Sequence, residues 1–329
     1  MKKSTRLAAV LFAAFTLNIQ PSAQADTFGT SGNEFTIDFV NIGNAGNAAD
    51  TTGYGAVPYD YRVGTYEISK NAIDKATASG MSDVTAGTFH APGAATGSLP
   101  AVYVTWYEAA AFVNWLNIST GKTAAYDLLW GPALDAFGQN VTAWSMTLWS
   151  PQEAWTAGGQ NLYRNKGAHY FLPSENEWYK AAFHKNDGVT ANYWDFATGS
   201  DSIPTAVGSG TATGTAVYNQ WPGYNAEVTL AGGLSPYATM GQSGNSTEFT
   251  ESAYDGLNNS SSEDRAWRDG RANHDENFIK STYRNFINPV IQVEHMGFRV
   301  ASVPEPSTYA LLLMAGAGWL LWKRRQATL

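Results

Sequence analysis

The chain has 329 residues, with 20 basic and 28 acidic side chains and a formal net charge of −8. Hydrophobic residues make up 44% of it and aromatic residues 13%. A chain of this length and composition buries a large core, which excludes an intrinsically disordered protein. It contains no cysteine. Disulfides, zinc–thiolate sites, iron–sulfur clusters, copper–thiolate centres and cysteine nucleophiles are therefore excluded.

The first 25 residues have the three parts of a secretory signal. Basic residues precede an apolar run over 7–17, and Ala23-Gln24-Ala25 places small residues where a signal peptidase cuts. We therefore expect residues 1–25 to be removed and the protein to be exported.

Short strands and one helix are predicted before residue 105. Alternating apolar and polar residues predict strands over 35–40 and, less cleanly, over 62–68. Residues 69–79 are predicted as a helix that ends at a glycine. A strand is also predicted over 101–104, leading into the next helix.

Two further helices begin with capping boxes, in which a hydroxyl residue precedes a glutamate by three positions. Thr105 and Glu108 form the first box, and Ser174 and Glu177 form the second. Each box is followed by apolar residues at the spacing of one helix face, and Gly121 ends the first helix. Both glutamates are interpreted as structural caps and not as catalytic residues.

The second half of the chain is predicted to be mostly irregular. Residues 186–270 are rich in Gly, Thr, Ser, Asn and Asp between scattered aromatic residues. We expect side chains such as Tyr193, Trp194 and Trp221, or metal ions, to hold this region together. A closing strand is predicted over 297–301, in which Arg299 is expected to pair with Glu108 or Glu177.

The C-terminal end combines an apolar stretch with a basic cluster. Residues 309–322 are apolar or small and precede Lys323, Arg324 and Arg325. This is a marginal length for a transmembrane helix, which needs ~20 residues, and the basic end is expected to stay cytoplasmic. The stretch follows Val303-Pro304-Glu305-Pro306, and residues 304–329 resemble the PEP-CTERM sorting signal. That resemblance implies processing by an exosortase, with transient membrane anchoring before display at the cell surface or release outside the cell.

The region between the two terminal segments is strongly acidic. Residues 26–303 keep 14 basic and 27 acidic side chains, a net charge of −13. Such a domain is repelled by nucleic acids and by anionic membranes, so neither is an expected partner.

Five segments of residues 26–303 resemble, in order, the sulfatase-modifying-factor family, which includes formylglycine-generating enzymes and ergothioneine-synthase-type domains. The resemblance implies a C-type-lectin-like α+β fold with two main helices, small twisted antiparallel sheets and much irregular loop. The segments are VGTYEIS over 63–69, PAVYVTWYEAA over 100–110, YFLPSENEWYKAA over 170–182, GNSTEFT over 244–250 and GFRVA over 297–301.

The catalytic cysteines of that family have no counterpart in this sequence. In formylglycine-generating enzymes a cysteine pair holds copper, whereas the corresponding residues 273–280 contain no sulfur. The known form of that activity is therefore excluded, because oxygen and nitrogen ligands do not replace soft thiolates. A non-haem metal-dependent oxidoreductase remains an alternative, with His274, Asp275 and Glu276 as its candidate ligands.

The resemblance also implies a structural calcium ion, the only cofactor proposed. Family members bind calcium beside a Gly-Asn-x-x-Glu segment, which here supplies the carbonyl groups of Gly244 and Ser246 and the carboxylate of Glu248. Glu227 and Asn225, in the preceding loop, are further candidates.

The favoured function is a non-catalytic binding module at the cell surface or in the extracellular matrix. Its expected partner is a polysaccharide or an envelope protein, since exosortase substrates are associated with exopolysaccharide and biofilm. A purely structural matrix protein is the second alternative. Arginine and aromatic side chains stack on sugars or bind carboxylates. The candidate ligand-binding residues lie in the segment that lines the substrate groove of relatives: Trp267, Arg268, Arg271, His274, Tyr283 and Arg284.

Overall fold

A computed structural model describes residues 24–93, 95–135 and 137–304. These residues form a mixed α+β fold, as expected, with small sheets joined by long irregular loops. The helices are α1 (Lys70–Ala78), α2 (Trp106–Ser119) and α3 (Glu175–Phe183), with a short 3-10 helix at Val228–Leu230. The strands are β1 (Gln24–Phe28), β2 (Phe35–Ile42), β3 (Tyr61–Gly64), β4 (Asp127–Leu134), β5 (Asn140–Thr147), β6 (Ala154–Trp155), β7 (Asn161–Asn165), β8 (Tyr170–Phe171), β9 (Thr205–Ala206), β10 (Thr215–Ala216), β11 (Thr247–Ala253), β12 (Arg265–Arg268), β13 (Asn285–Ile287), β14 (Met296–Phe298) and β15 (Ala301–Ser302).

All three predicted helices are confirmed, and their first turns show why they begin where they do. The Thr105 backbone N–H donates to the Glu108 carboxylate at 2.8 Å, and the Glu108 N–H donates to the Thr105 hydroxyl at 3.1 Å. Ser174 and Glu177 repeat the same reciprocal pair at the start of α3. Both glutamates therefore satisfy backbone donors at helix starts, as the spacing predicted.

Two sheets organise the fold. The larger has the strand order β1-β2-β3-β15-β8, and its neighbours are antiparallel. The smaller has the order β13-β12-β11-β14, with β11 and β14 parallel. Helix α2 packs between these layers and buries most of its length, including Trp106 and Phe112, in the main core.

Three strand predictions need correction. The strand predicted over 62–68 ends at Gly64, and the segment predicted over 101–104 makes only an isolated bridge between Val102 and Gly87. The closing strand is divided at residues 299–300, because β14 belongs to the smaller sheet and β15 to the larger. The chain therefore passes from one sheet to the other at Arg299.

Arg299 is fully buried and pairs with Glu248, not with Glu108 or Glu177 as expected. Its Nε donates to the Glu248 carboxylate at 2.6 Å, and its remaining N–H groups donate to the carbonyl groups of Gly64, Thr65 and Met240. The cation therefore joins β11, β14, β3 and the loop before β11.

A second buried arginine, Arg164 on β7, has an equally complete set of partners. It donates to the carboxylates of Glu177 at 2.8 Å and Glu251 at 2.7 Å, and it lies 3.7 Å from the centre of the Phe171 ring. The pKa of Glu177 is lowered because Arg164 outweighs the cost of burial. Glu177 is therefore both a helix cap and an ion-pair partner.

Among the described helices, none is long and apolar enough to cross a membrane. The expected signal peptide over 1–25 lies outside the described residues except for Gln24 and Ala25, which begin β1. The expected membrane segment over 309–322 also lies outside the described residues. The sorting motif is described only as far as Pro304, and the Val303 N–H donates to the His169 carbonyl at 3.0 Å.

The buried pair predicts a large loss of stability when one partner is removed. We expect Glu248→Gln to lower the free energy of unfolding by roughly 3–5 kcal/mol, because Arg299 keeps its charge in the core without a compensating carboxylate. Urea denaturation measures this difference.

Asp74→Asn provides the matched control, because Asp74 forms an ion pair with Lys70 on the surface of α1. That variant is expected to lose less than about 1 kcal/mol. Equal losses in the two variants would contradict a central role for Glu248.

Candidate functional site

Two of the six candidate ligand-binding residues are buried. Trp267, on β12, lies in the main core, with its ring centre 5.7 Å from that of Tyr283. Arg268 is also buried, and its Nε donates to the Glu175 carboxylate at 2.7 Å. A second nitrogen of Arg268 donates to the carbonyl groups of Ser281 and Tyr283. Both residues therefore support the loop over 269–284 from the side of the core and are not accessible to a ligand.

Arg284 lies at one end of this loop and shares a carboxylate with Arg268. Its guanidinium donates to both oxygens of Glu175 at 2.8 Å and lies between the rings of Tyr254 and Tyr54, at 4.0 and 5.0 Å from their centres. The Glu175 carboxylate thus accepts hydrogen bonds from both Arg268 and Arg284. The charge-assisted bonds and the two rings fix the orientation of Arg284.

Arg271 lies at the other end, where two histidines accept its hydrogen bonds. It donates to His274 Nε2 at 3.0 Å and contacts His295 Nδ1 at 2.9 Å, and its nearest carboxylate oxygen belongs to Glu294 at 3.7 Å. Burial lowers the pKa of His274 and of His295 to about 4, and the charge of Arg271 adds to both shifts. Both rings are therefore neutral at pH 7 and hold the arginine as hydrogen-bond acceptors.

A row of half-buried aromatic rings begins beside Arg271. The ring centres of His274 and Phe278 are 4.1 Å apart, and those of Phe278 and Tyr283 are 4.8 Å apart. Phe278 was not among the predicted site residues. Its position one helical turn after His274 is the only sequence signal that associates it with the row.

Trp221 lies on a loop beside the row and is exposed, which contradicts its expected role as a staple. The N–H groups of Asn219 and Gln220 donate to the carbonyl groups of His274 and Ala272 at 2.8 Å, so this loop runs beside the row. The Trp221 side chain is 91% exposed. The turn residues Pro222 and Gly223 directly after it were the sequence signal for an exposed position.

The other two expected staples do hold the irregular region. The Tyr193 hydroxyl donates to the Ala48 carbonyl at 2.9 Å, and the Lys185 ammonium lies 3.6 Å from the centre of the Trp194 ring. The term rim is used below for the partly exposed residues of this surface, which are Trp221, Arg271, His274, Phe278, Tyr283 and Arg284.

Glu248, the carboxylate among the predicted calcium ligands of this segment, is already engaged within the protein. Glu248 accepts hydrogen bonds from Arg299 and from the Trp178 indole, and the Ser246 N–H donates to Glu67. Gly244 has φ +108°, and a side chain there would collide with a carbonyl group. Its N–H donates to a buried aspartate.

A cation at Glu248 would lie beside the Arg299 guanidinium, and Glu227 is exposed on the turn before the 3-10 helix. The Glu248 carboxylate is therefore not available to a cation in this arrangement. Calcium binding stays a prediction that calorimetric titration tests, and no step below depends on it.

Two buried carboxyl groups near this loop had no sequence signal. Glu67 accepts from the Asn245 side chain at 2.7 Å, and Asp269 accepts from the N–H groups of Gly244 and Gly270 at 2.7 Å. Burial and the neighbouring Glu248 raise the pKa of both groups well above their ordinary values. They stabilise the turn over 244–246 from the inside of the domain.

The residues of the alternative oxidoreductase do not form a metal site in this arrangement. The His274 ring faces Arg271, and the Asp275 carboxylate accepts from the Asn277 N–H at 2.9 Å. Within residues 24–93, 95–135 and 137–304, no three His, Asp or Glu side chains lie together as metal binding requires. The redox alternative therefore has no supporting observation.

The histidine pair predicts a specific pH dependence of stability. Because both pKa values fall from 6.5 to about 4 on folding, the stability from the neutral rings is complete above pH 6.5 and is lost between pH 6.5 and 4. Replacing both residues by glutamine keeps an acceptor for Arg271 and removes the titration. As the pH falls over this range, we expect the free energy of unfolding to decrease less in the double variant than in the unchanged protein. The difference should be about 1 kcal/mol per histidine, after allowance for solvent screening.

Urea denaturation at a series of pH values measures this loss. Between pH 7 and 9 the two proteins should show the same pH dependence, because both rings are neutral there. If the free energies of unfolding of the two proteins also changed equally with pH below pH 6.5, the contacts of Arg271 with neutral His274 and His295 would be contradicted.

Solved structures of several other proteins are similar to this chain. Treponema denticola variable protein 1 is 19% identical, with a TM-score of 0.55 over 86% of this chain and 100% of the other. CarF is 17% identical, with a TM-score of 0.53 over 82% of this chain and 99% of the other. PvdO from Pseudomonas aeruginosa is 14% identical, with a TM-score of 0.49 over 87% and 99%. At this identity the likeness shows the fold alone. No curated protein matches the chain.

Family comparisons agree with the resemblance found in the sequence. Residues 302–325 match the PEP-CTERM protein-sorting motif, which implies export, transient C-terminal membrane anchoring and processing by an exosortase. Residues 21–303 match the sulfatase-modifying factor enzyme 1-like domain, which is the FGE-sulfatase family. The chain therefore belongs to the sulfatase-modifying factor enzyme 1-like family and carries a PEP-CTERM sorting motif.

Proposed function

We propose that this protein is a non-catalytic binding module for polysaccharide at the cell surface or in the extracellular matrix. The rim is its binding surface. The sorting motif supports the location, because it directs a chain outside the cytoplasm. The expected signal peptide agrees with that route.

The absence of sulfur ligands supports binding over catalysis. The chain has no cysteine, so the thiolates that hold copper in formylglycine-generating relatives have no replacement. The loop that would carry them supplies Arg271 and His274, which hydrogen-bond to each other. The same loop therefore presents groups that suit recognition.

One observation carries the proposal, which is the row of His274, Phe278 and Tyr283 rings with the exposed Trp221 on the neighbouring loop. Aromatic faces pack against the C–H faces of sugar rings, and arginine N–H groups donate to hydroxyl groups. Trp221 presents almost its whole indole to solvent, and Arg271 and Arg284 are held in place by their neighbours. Fixed donors and rigid rings reduce the entropy lost on binding.

The charges near Arg271 favour a neutral polymer. Arg271 lies close to Glu294, and the acidic residues Asp275 and Glu276 follow His274 directly. An anionic polymer would meet as many negative as positive groups in an already acidic domain. Hydroxyl groups of a neutral sugar can instead bond to both carboxylates and guanidinium groups.

The rim predicts loss of polysaccharide binding in two single variants. We expect Trp221→Ala and Arg271→Ala each to weaken retention in gels containing hydroxyethyl cellulose or dextran by at least tenfold, because each removes a main contact group. Affinity electrophoresis of the purified domain measures the dissociation constant. Alginate in a parallel gel tests the preference for neutral polymers.

Ile203→Ala is the control, since Ile203 is also an exposed apolar residue and lies outside the rim. Its retention should match that of the unchanged protein, and all variants should share one melting temperature. Retention of no polymer would contradict polysaccharide binding and favour a purely structural matrix protein. If the domain bound an envelope protein and no polymer, that protein would be the other expected partner.

The sorting motif predicts the location of the protein. Deleting residues 304–329 is expected to abolish surface display and release the domain in soluble form, because the exosortase then has no signal to process. Immunoblots of the cell-surface, membrane and culture-medium fractions measure this. Unchanged surface display would show that the motif is not used.

A further inference from the structure

The hairpin β4–β5 projects from the domain between α2 and β6 and was not predicted from the sequence. Its strands pair antiparallel over eight positions, with Trp130 opposite Trp144. Large apolar side chains are exposed along it, including Leu129, Leu134 and Phe137. No sheet neighbour covers either strand among the described residues. An exposed and strongly apolar hairpin indicates a contact surface.

The two tryptophans form a fixed aromatic pair at the base of the hairpin. Their ring centres lie 5.2 Å apart at an angle of 58°. The Trp144 indole N–H donates to the Asp83 carbonyl at 2.7 Å, and its ring packs against the main core. Trp130 remains 44% exposed. The partly buried Trp144 therefore holds the more exposed Trp130 in position.

A cavity of about 260 Å³ opens beside this pair. Both tryptophans and Tyr107 supply its aromatic walls, and Thr142 and Gln292 supply hydroxyl and amide groups. Aromatic walls combined with a few polar groups are the usual lining of a small-molecule site.

The charges around the cavity disfavour an anionic ligand. Its only ionisable carboxylate is that of Glu108, whose oxygens accept from the N–H and hydroxyl groups of both Thr85 and Thr105. No lysine or arginine occurs between Lys122 and Arg164, and none lines the cavity. A neutral sugar ring matches this combination, because it offers C–H faces to the indoles and hydroxyl groups to Thr142 and Gln292.

A single short segment joins the cavity to the rim. Gln292 lines the cavity, and Glu294, two residues later, lies 3.7 Å from Arg271. The Cα atoms of Gln292 and Glu294 are therefore at most about 7 Å apart. Tyr103 lies between them, since the Gln292 amide donates to its carbonyl and its hydroxyl donates to Glu294 at 3.5 Å. The cavity and the Arg271 end of the rim thus adjoin along one edge of the domain.

We infer that the cavity beside Trp130 and Trp144 is a second subsite of the polysaccharide-binding surface and takes one neutral sugar ring of a polymer that also contacts the rim. The inference rests on the proposed function for its polymer, but its evidence comes from different residues. Two adjoining subsites raise the affinity for a polymer, because binding at the second subsite becomes intramolecular once the polymer is bound at the first.

Affinity electrophoresis in hydroxyethyl cellulose and dextran tests the subsite in the complete exported domain. We expect Trp130→Ala to weaken polymer retention at least tenfold. Phe137→Ala is the matched control, because Phe137 is 87% exposed on the same hairpin and does not line the cavity. Its retention should stay within twofold of the unchanged protein. Gln292→Ala tests the opposite wall if Trp130→Ala alters the melting temperature.

The rim variants separate the possible outcomes. Loss with Trp130→Ala, Trp221→Ala and Arg271→Ala, together with normal retention of Phe137→Ala, supports both subsites. Loss with the rim variants alone overturns the hairpin subsite and leaves the proposed function intact. Loss with Trp130→Ala alone overturns both the rim as the binding surface and the inference that one polymer occupies the cavity and the rim together. Equal loss with Trp130→Ala and Phe137→Ala, or no retention of the unchanged protein, overturns the inference.

Discussion

The buried ion pair between Arg299 and Glu248 is the interaction on which the arrangement of the domain depends. The chain crosses from the smaller sheet to the larger at Arg299, and the guanidinium there bonds to Glu248 and to carbonyl groups of Gly64 and Met240. Glu248 also accepts from the Trp178 indole of α3 at 2.6 Å. One cation therefore fixes both sheets, α3 and the loop before β11, and a buried charge retains this geometry because leaving it unpaired is costly.

The same framework positions the rim at the surface. Helix α3 begins at Glu175, whose carboxylate receives both Arg268 and Arg284. Arg268 then bonds to backbone carbonyl groups of the loop that ends at Tyr283. Hydrogen bonds and contacts between aromatic rings occupy this loop, which contains no cysteine. The result is a surface of aromatic rings and arginines.

Local signals in the sequence were sufficient for the helices and insufficient for the site. The capping boxes at Thr105 and Ser174 predicted two helix starts correctly, because a cap is satisfied within four residues. Partners far apart in the chain, such as Glu248 and Arg299, have no local signal. The strands of β4–β5 were missed because Gly131 and Pro132 interrupt the alternation and both faces are partly exposed.

The central claim is that two adjoining surfaces bind one neutral polymer. Hydrogen–deuterium exchange of the complete domain with and without a soluble cellulose oligosaccharide tests it most directly. The account predicts slower exchange in residues 219–224, 271–284 and 290–295 and in the β4–β5 hairpin, with no change in β1 or α1. Slower exchange confined to the region of residues 244–248, or no change anywhere, would contradict it.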